Sequence, residues 1–412
     1  MRIAFVVNQF PPNVTAGLGR YVELITPYLA RDHELSVHTL NDGGLPVDER
    51  VDGVAVHRPR TRLLGGGRSG GRRLNRTRRA EFLLLALRVV ASNWGYVLRL
   101  RRAPRPDLVA VHDSTNFLAG LLCHYLLRLP VVLHVHTTEY GVAPQRSITD
   151  PLNLFAALER WLARVSRRVV VATPEVREQL LAAGWRRTPI DVVPLGGTYE
   201  PVLAAPGFDR EALRAEAAEL RRSLGLAERD RVVLFVGRIE RQKGVYQLLE
   251  AMREVAAAVG DARLVIVGEG DETGVRRIAA ATGLRGRVST SGRFVSGREL
   301  MAYYELAEVC VFPSLFEPFG LVATEAMALG RASVLGDGFS RVFLGPDPAR
   351  PAARFVRATE PADIARGVIE VMSDPALRRA LARRGERFVR ESLSWERAAN
   401  ETVAVYRAAL KP

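Results

Sequence analysis

The sequence predicts an α/β fold made of two doubly wound domains in tandem. In the first half of the chain, short apolar runs alternate with segments of helical spacing, and the same alternation resumes at Val232. Between the two halves, residues 199–231 contain Pro201, Pro206 and a charged helical stretch, as is typical of a linker and its first helix. Apolar strands that alternate with helices indicate a parallel sheet covered on both faces.

The predicted elements follow this pattern in order. In the first half we expect strands at residues 3–7, 33–40, 108–112, 131–136, 169–172 and 191–193, and helices at residues 18–30, 117–127 and 152–165. In the second half we expect strands at residues 232–236, 264–267, 288–291, 309–312 and 332–335. Sheets of this kind bind ligands at the carboxyl ends of their strands, so the predicted site is a cleft between the two domains.

Length and composition fit a globular protein. A chain of 412 residues can bury two ordinary cores. Cys123 and Cys310 lie too far apart to form a ligand pair, which agrees with a reducing compartment. Residues 1–7 lack the cleavage pattern of a secretory signal. The apolar stretch 82–100 contains Arg88, which would cost about 2.5–3.5 kcal/mol in a bilayer, so we expect a cytoplasmic protein without a membrane span.

A formal net charge of +14 is the strongest bias of the composition. Arginines are dense between residues 60 and 105, where Glu81 is the only acid, and we treat this segment as a basic insertion. It has few aromatic residues and no zinc-finger or RNA-binding signature, so no nucleic-acid partner is expected. A solvated basic surface is the favoured interpretation, and peripheral docking to the inner face of a membrane is the alternative.

One predicted strand leads into a phosphate-binding geometry. The strand at residues 309–312 is followed by a loop and then by a helix that begins near Gly320 or Leu321. The amides of Phe319, Gly320 and Leu321 would be the unpaired donors of the first helical turn. Free amides at the positive end of a helix dipole form an anion site, so we expect these three residues to bind a phosphate group.

Two glutamates flank that helix start. Glu317 lies in the loop and Glu325 about one turn into the helix. One carboxylate could accept hydrogen bonds from the hydroxyls of a sugar and the other from a ribose diol. Taken alone, the pair also fits an ordinary solvated helix start, because glutamate is favourable there.

A second predicted strand is followed by two cationic residues. The strand at residues 232–236 ends in Gly237-Arg238, and Lys243-Gly244 follows at a helix start. Arg238 and Lys243 can converge on one diphosphate, the first as a planar fork and the second as a point charge. In an arginine-rich chain, an isolated pair of basic residues more often lies on a solvated surface than in a binding site. The strand–loop–helix context of this pair is what favours a binding site.

Together these segments resemble the retaining glycosyltransferases of family GT4. The similarity rests on residues 236–244 with 248–251, on 264–270, and on the two glutamates of 317–325 followed by 326–328. The resemblance implies a GT-B fold, in which two Rossmann-like domains face each other across a cleft. It implies an N-terminal domain at residues 1–199, a donor-binding domain at 200–393, and a last helix at 394–412 that returns to the N-terminal domain.

The resemblance extends into the first half of the chain. Residues 11–20 are similar to the family's glycine-rich first loop, in which the backbone at Gly17 approaches the donor phosphate. The G-x-G-x-x-G pattern is absent, which argues against a nicotinamide site. Residues 131–139 resemble the strand whose histidine reaches the reacting sugar; His136 is the preferred candidate, His134 is the alternative, and a structural role remains open.

The site residues implied by the resemblance fall into two sets. The catalytic candidates are His136, Glu317, Arg238 and Lys243. The donor-binding candidates are Gly17, Arg238, Lys243, Gly268, Val295, Phe319, Gly320, Leu321 and Glu325.

The implied reaction moves a hexose-type sugar from a UDP-, ADP- or GDP-sugar to a hydroxyl of a glycan, glycolipid or secondary-metabolite acceptor, with retention. In the family, the leaving phosphate is proposed to assist a front-side substitution. Neither a D-x-D pair nor a His/Cys cluster is visible in the sequence, so no metal and no cofactor besides the nucleotide sugar is expected. A sugar-nucleotide epimerase of the same fold and a non-catalytic nucleotide-sugar-binding protein are the rival hypotheses.

The sequence departs from the family pattern at three places; Ala16 would alter how closely the backbone approaches the phosphate, and residues 336–341 are where a different substrate or impaired activity would arise. Ala16 replaces the first glycine of the loop pair, and Leu195 lies where asparagine and aspartate usually follow the proline. Residues 336–341 do not match the expected Gly-Gly-x-Pro-Glu.

Overall fold

The computed structural model describes residues 1–14, 17–41, 44–60, 78–136 and 151–411. The chain divides into two compact units, residues 1–195 with 395–412 and residues 196–394. The first unit therefore ends four residues before the predicted boundary at residue 199. Gly197 explains this difference, because its amide donates a hydrogen bond to the carbonyl of Leu393 at 2.7 Å, within the second unit.

The first unit is built on one sheet of eight strands, in the spatial order β3-β4-β2-β1-β5-β6-β7-β8. Its strands are β1 (Arg2–Val6), β2 (Glu34–His38), β3 (Asp48–Val51), β4 (Val54–His57), β5 (Leu108–His112), β6 (Val131–Val135), β7 (Arg168–Val171) and β8 (Ile190–Val192). Neighbours pair in parallel except β3 and β4, which are antiparallel. The six predicted strands are present, and β3 and β4 add an edge that the sequence pattern did not indicate.

Within its described ranges, the first unit has these helices before the linker: α1 (Gly17–Leu29), α2 (Arg78–Arg102), α3 (Phe117–Tyr125), α4 (Pro151–Val165) and α5 (Pro174–Ala182). The structure describes part of the basic insertion predicted at 60–105. Residues 78–102 form one helix whose Tyr96, Val97 and Leu100 belong to the apolar core. Residues 61–77 of that prediction lie outside the described residues.

The second unit carries a six-stranded parallel sheet in the order β11-β10-β9-β12-β13-β14. Its strands are β9 (Arg231–Val236), β10 (Ala262–Val267), β11 (Val288–Thr290), β12 (Val309–Phe312), β13 (Ala332–Gly336) and β14 (Arg354–Val356). Numbered within the unit, this order is 3-2-1-4-5-6, the arrangement of doubly wound nucleotide-binding sheets. The order reverses between β9 and β12, and that switch point is where such sheets bind ligands.

The helices of the second unit are α6 (Glu200–Leu203), α7 (Arg210–Ser223), α8 (Val245–Ala258), α9 (Glu272–Ala281), α10 (Gly297–Leu306), α11 (Leu321–Ala328), α12 (Pro361–Ser373) and α13 (Pro375–Ser392). Three begin at an aspartate whose side chain accepts hydrogen bonds from first-turn amides, Asp209, Asp271 and Asp374. The strands and helices enclose a core in which Val233, Leu264 and Val309 are fully buried.

The last helix, α14 (Trp395–Leu410), belongs to the first unit and packs against α1 and β6. Trp395 is completely buried there, with its ring 6.0 Å from the ring of Tyr21. Tyr406 is also completely buried, and its hydroxyl lies 2.9 Å from Nε2 of His134. The helix thus covers the carboxyl end of β6.

Across the described ranges, each helix is too short or too polar to cross a bilayer.

Candidate active site

The two loops at the switch point of the second sheet carry most of the predicted donor-binding residues. Residues 237–244 connect β9 to α8, and residues 313–320 connect β12 to α11. Because β9 and β12 are parallel neighbours, both loops leave the sheet at the same edge. Residues that lie seventy positions apart in the sequence are thereby brought together.

Lys243 and Glu317 are in direct contact across these loops. Nζ of Lys243 lies 2.7 Å from Oε2 of Glu317, and the side chains are 18% and 12% exposed. The hydroxyl of Ser314 donates to the same carboxylate oxygen at 3.5 Å. The contact fixes the lysine charge at the switch point, where two of the predicted catalytic residues therefore meet.

Backbone contacts hold the two loops in register. The amide of Leu315 donates to the carbonyl of Gln242 at 2.9 Å, and Nε2 of Gln242 donates to the carbonyl of Phe316 at 3.2 Å. Gly244 has a left-handed backbone with φ 69°, and a Cβ there would lie 1.8 Å from the carbonyl oxygen of Pro313. Only glycine permits this close approach, which the sequence signalled as Lys-Gly at a helix start.

The start of α11 has the geometry expected of an anion site. Gly320 caps the helix with φ 98°, and a Cβ there would lie 2.3 Å from the ring of Phe339. The amides of Phe319, Gly320 and Leu321 donate to no acceptor within the described part of the chain. These donors lie at the positive end of the helix dipole, next to Lys243 and Glu317.

Residues 336–341, which depart from the family pattern, lie against the loop that carries Glu317 and Gly320. The carbonyl of Gly338 accepts a hydrogen bond from the amide of Glu317 at 2.9 Å. Phe339 packs against Gly320. This departure from the family pattern therefore lies beside Glu317, the predicted sugar-binding carboxylate.

Arg238 is positioned differently from Lys243. Its side chain is 71% exposed, and its guanidinium pairs with Glu240 at 2.9 Å. Lys243 pairs instead with Glu317, so the two cations share no carboxylate. Their convergence on one diphosphate stays a prediction.

Glu325 is buried inside the unit, at 7% exposure. Oε2 accepts a hydrogen bond from the hydroxyl of Tyr304 at 2.8 Å. Burial, followed by the neighbouring Glu325 charge, raises the pKa of Tyr304 well above its usual range. The phenol therefore stays protonated and holds the carboxylate in place. The sequence did not indicate Tyr304, which lies 21 residues away on α10.

The remaining predicted donor-binding residues lie in adjacent loops of the second unit. The amide of Gly268 donates to the hydroxyl of Ser291 at 3.0 Å. Val295 is buried at 5% exposure, just before α10. Phe319 is buried with its ring 5.5 Å from that of Phe343, so its side chain serves packing while its amide is available.

In the first unit, three histidines form a cluster at the carboxyl ends of β5 and β6. The expectation of no His/Cys cluster was wrong, because His112 pairs in register with His134 across the parallel strands. Nδ1 of His112 lies 3.1 Å from Nε2 of His136, and the His112 and His134 rings stack at 4.4 Å. His136, the preferred catalytic candidate, is thus the outermost member of a buried imidazole stack.

Burial keeps these rings neutral. It lowers the pKa of His136 to about 4, and it lowers the pKa values of His112 and His134 well below the usual range, with further lowering from neighbouring histidines. Neutral imidazoles at pH 7 can donate and accept hydrogen bonds without carrying charge. His136 is therefore suited to polar contact with an uncharged hydroxyl.

Asp113 is a candidate that sequence reasoning missed. It follows β5 with φ 62°, unusual for a residue with a side chain, and Oδ1 accepts a hydrogen bond from the amide of His136 at 3.2 Å. Burial raises its pKa to about 6, and the amide hydrogen bond works in the opposite direction. A strained residue with a shifted pKa beside a catalytic candidate is typical of functional sites.

A small, partly open cavity lies at this edge of the first sheet. Tyr21, His134 and His136 line it together with residues that follow β7 and β8. Gly17 is exposed at the first position of α1, the helix that supplies Tyr21. The predicted departure at Ala16 lies outside the described residues. Leu195, the second departure, lines the cavity.

The three histidines are also a group that could hold a metal ion. One ring nitrogen from each lies within 4.8 Å of the others. Two contacts already use these rings, the His112–His136 hydrogen bond and the Tyr406–His134 hydrogen bond. Stacked rings bonded to one another suit a neutral hydrogen-bonding network better than a tetrahedral ion. The expected absence of a metal remains a prediction.

Residue usage gives a further signal for Lys243. The chain has 59 basic residues, and only Lys243 and Lys411 are lysines. At the site the chain therefore departs from its strong preference for arginine. Lysine carries a compact point charge, whereas arginine carries a planar fork, so the two are not interchangeable at a ligand site.

Comparisons with known proteins agree with this geometry. The model of the "Glycosyl transferase 4-like domain" matches residues 16–196, and that of "Glycosyl transferases group 1" matches residues 216–388. A 2-deoxystreptamine glucosyltransferase of Streptomyces kanamyceticus is 30% identical over 76% of this chain and 80% of its own length. An uncharacterized glycosyltransferase of Methanocaldococcus jannaschii is 29% identical over 100% of this chain and 99% of its own.

Among solved structures, sucrose-phosphate synthase from Thermosynechococcus elongatus superposes with a TM-score of 0.74 over 98% of both chains, at 22% identity. At that identity the likeness establishes the fold, which is GT-B, as the sequence resemblance implied.

Proposed function

The chain belongs to the glycosyl transferases group 1 family and is a GT4-type glycosyltransferase; on that premise we propose that it transfers a hexose-type sugar from a nucleoside-diphosphate sugar to an acceptor hydroxyl, with retention at the anomeric carbon. The observation that carries the proposal is the 2.7 Å contact between Lys243 and Glu317 beside the free amides of α11. It sets a cation, a carboxylate and an anion-binding helix start side by side, as a sugar diphosphate requires.

Stabilising the leaving diphosphate is the main chemical demand of the reaction. As the sugar–phosphate bond breaks, negative charge develops on the diphosphate oxygens. Nζ of Lys243 and the amides of residues 319–321 would stabilise that charge as preorganised donors. Arg238, exposed at the same edge, would add a planar fork. We therefore propose that the reaction needs no metal and no further cofactor.

Glu317 would bind the sugar end of the donor. Its Oε2 is held by Lys243 and Ser314, and Oε1 can accept hydrogen bonds from hexose hydroxyls. This carboxylate is therefore assigned to orientation of the sugar, not to nucleophilic attack.

Glu325 would bind the ribose of the nucleotide through its carboxylate, which Tyr304 holds in place. A carboxylate already fixed by one hydrogen bond loses little side-chain entropy when a ribose diol binds. Because ribose is common to UDP, ADP and GDP, this contact would not discriminate among the three donors.

His136 and Asp113 would act on the first-unit side of the reaction. The Nδ1 atom of His136 has no hydrogen-bond partner among the residues described, and Nε2 is held by His112. A neutral imidazole fixed in this way can orient a sugar hydroxyl. Asp113, with a pKa near 6, would set the position of His136 through its backbone amide.

The acceptor is proposed at the level of class: a hydroxyl of a glycan, a glycolipid or a secondary metabolite. The relative from Streptomyces kanamyceticus, a glucosyltransferase named for 2-deoxystreptamine, favours a small polar aglycone. An exposed apolar stripe on α2 favours a lipid-linked acceptor, because Leu87, Val90, Trp94 and Leu98 lie on one face of that helix. The stripe runs into Arg101 and Arg102, whose charge complements an anionic membrane.

A donor screen tests the proposal. Purified protein is incubated with each of several UDP-, ADP- and GDP-sugars and a panel of acceptors, and nucleotide release and product configuration are measured. Transfer with a retained anomeric configuration supports the proposal. Isomerised donor without acceptor would instead identify an epimerase. Binding without turnover over the whole panel would identify a non-catalytic nucleotide-sugar-binding protein.

A further inference from the structure

A second cavity of the first unit lies at the sheet edge opposite the histidines. It encloses about 390 Å³, part of it open to solvent. Its walls come from the end of α4, the start of β7, and residues 184–188 before β8. The His136 cluster follows the carboxyl ends of parallel strands, whereas this cavity lies at their amino ends. It is therefore separate from the proposed catalytic site.

We propose that this cavity binds the phosphoryl group of a small metabolite, such as a phosphate monoester or a diphosphate, and so forms an effector site. Four of its nine lining residues are arginines, Arg160, Arg164, Arg186 and Arg187, and none is acidic. Guanidinium groups are forks that match phosphate oxygens in pairs. The cavity is partly open to solvent, so a small anion can enter it.

In the part of the chain that the structure describes, the charge of the four arginines is not neutralised by a neighbouring carboxylate. Arg168, which precedes the lining residue Val169, pairs by contrast with Asp191 at 3.3 Å. Within the described ranges, the cavity arginines form no ion pair with a carboxylate. Arg160 and Arg164 lie one turn apart on α4, a spacing at which like charges repel. An anion of two or more charges would relieve that repulsion.

Trp185 gives the cavity a rigid wall. It is 5% exposed, and its Nε1 is a buried donor without a hydrogen-bond partner among the described residues. Thr188 fixes the adjoining loop, since its hydroxyl donates to the carbonyl of Ala163 at 2.7 Å. The arginines of the loop and of α4 are thus carried by two segments that are bonded to each other. A cavity held in this way can bind a ligand without ordering a loop first.

A small ligand is favoured over a polymer or a membrane. The charges surround a concave space, whereas nucleic acids and bilayers bind extended basic surfaces that follow the phosphate backbone or the headgroup plane. Apart from the indole of Trp185, the lining has no aromatic residue on which bases could stack. The phosphoryl group itself is the recognised chemistry, and the organic part of the ligand remains to be identified by the test.

The test measures binding of inorganic pyrophosphate and of a hexose phosphate by calorimetry at about 0.15 M salt. Both wild-type protein and Lys243→Ala are used, because pyrophosphate can also occupy the donor site. R160A/R164A and R186A/R187A remove the cavity charges. R383A/R387A, exposed arginines at the same spacing on α13, is the matched control for net charge.

We expect saturable binding in Lys243→Ala protein that weakens about tenfold or more in each cavity variant and is unchanged in the α13 control. Binding of the same ligands should also alter tryptophan fluorescence, and Trp185→Phe should abolish that change. Equal weakening in the α13 control, or no saturable binding of either ligand, would overturn the proposal. So would binding confined to RNA or to anionic vesicles. Because the Lys243→Ala background removes donor chemistry, failure here leaves the transferase proposal untouched.

Discussion

Nζ of Lys243 lies 2.7 Å from Oε2 of Glu317, which joins the loop after β9 to the loop after β12. The two side chains are mostly buried, so their attraction is less screened than that of a surface pair. One carboxylate oxygen and two ammonium hydrogens remain for a ligand. This contact therefore links the architecture of the sheet to the chemistry proposed for it.

Lys243→Ala is expected to lower nucleotide release by about 10²–10³-fold, because a preorganised charge on the leaving diphosphate is lost. Lys243→Arg keeps the charge but replaces a point-charge ammonium with a planar guanidinium, so it is expected to recover activity only in part. The measurement is kcat/KM for the best donor. Lys411→Ala, at the exposed end of the chain, is the matched lysine control. Wild-type turnover in both Lys243 variants would remove this residue from the site.

Gly244→Ala is expected to abolish donor binding and to lower the free energy of unfolding by more than about 2 kcal/mol, since the new Cβ would collide with the carbonyl of Pro313. Gly283 is the matched control. It has a similar φ of 74° but open space around its Cβ position, so Gly283→Ala should cost only about 1 kcal/mol of backbone strain. Urea unfolding and donor titration are the measurements. Equal destabilisation in the two variants would show that backbone strain, not the collision, is decisive.

Tyr304→Phe removes the hydrogen bond that holds Glu325. We expect a loss of about 1.5–3 kcal/mol in unfolding free energy, because a buried carboxylate loses a donor, together with a higher KM for the nucleotide sugar. Tyr303→Phe, the neighbouring buried tyrosine, should change neither quantity. A KM unchanged in Tyr304→Phe would argue against a role for Glu325 in donor binding.

Stability is expected to fall as the pH decreases from about 6.5 towards 5. In the unfolded chain His112, His134 and His136 take up protons near pH 6.5. Burial lowers the folded pKa of His136 to about 4 and lowers the folded pKa values of His112 and His134 well below their usual range. Below pH 6.5, each histidine that stays neutral in the folded state should lower the free energy of unfolding by on the order of 1.4 kcal/mol per pH unit. Urea midpoints measured at pH 7.5, 6.5 and 5.5 (about one unit apart) test this. A constant midpoint would contradict it.

Protonation of Asp113 has the opposite effect on the stability of the folded state, so this residue provides the control. Its folded pKa is raised to about 6 from 3.8, so the folded state takes up its proton first as the pH falls, which adds stability below pH 6. Asp113→Asn removes that compensation. The loss of stability between pH 6 and 5 should therefore be steeper in this variant than in the wild-type protein.

The central strands could be predicted from the sequence because each is a continuous apolar run. Strands β5 and β12 have the predicted bounds, residues 108–112 and 309–312. Strands β3 and β14 were missed, since Asp48–Val51 and Arg354–Val356 lie at sheet edges and carry charged residues without alternation. Edge strands need no buried face, so hydrophobic pattern alone does not reveal them.

The sequence predicts more of the candidate donor site than of the candidate site in the first unit. Lys243 and Glu317 belong to local motifs, and their meeting follows from the order of strands in a doubly wound sheet. His112 belongs to no motif, and it joins His134 only because β5 and β6 pair in that register. Tyr304 reaches Glu325 from another helix through packing alone. Contacts of that kind depend on tertiary geometry, which one sequence does not display.

The exposed stripe of α2 is expected to bind anionic membranes. Val90 and Trp94 are each about half exposed, and the stripe they share with Leu87 and Leu98 ends at two arginines. Tryptophan favours the bilayer interface and arginine the anionic headgroups, so the wild-type protein should sediment with phosphatidylglycerol vesicles and not with phosphatidylcholine vesicles. V90S/W94S should weaken sedimentation severalfold, whereas Phe294→Ser, at a comparably exposed apolar residue of the second unit, should not. High salt should release the wild-type protein, because the headgroup attraction is screened. If wild-type protein stays in the supernatant with anionic vesicles, the stripe has another partner and a lipid-linked acceptor loses its structural support.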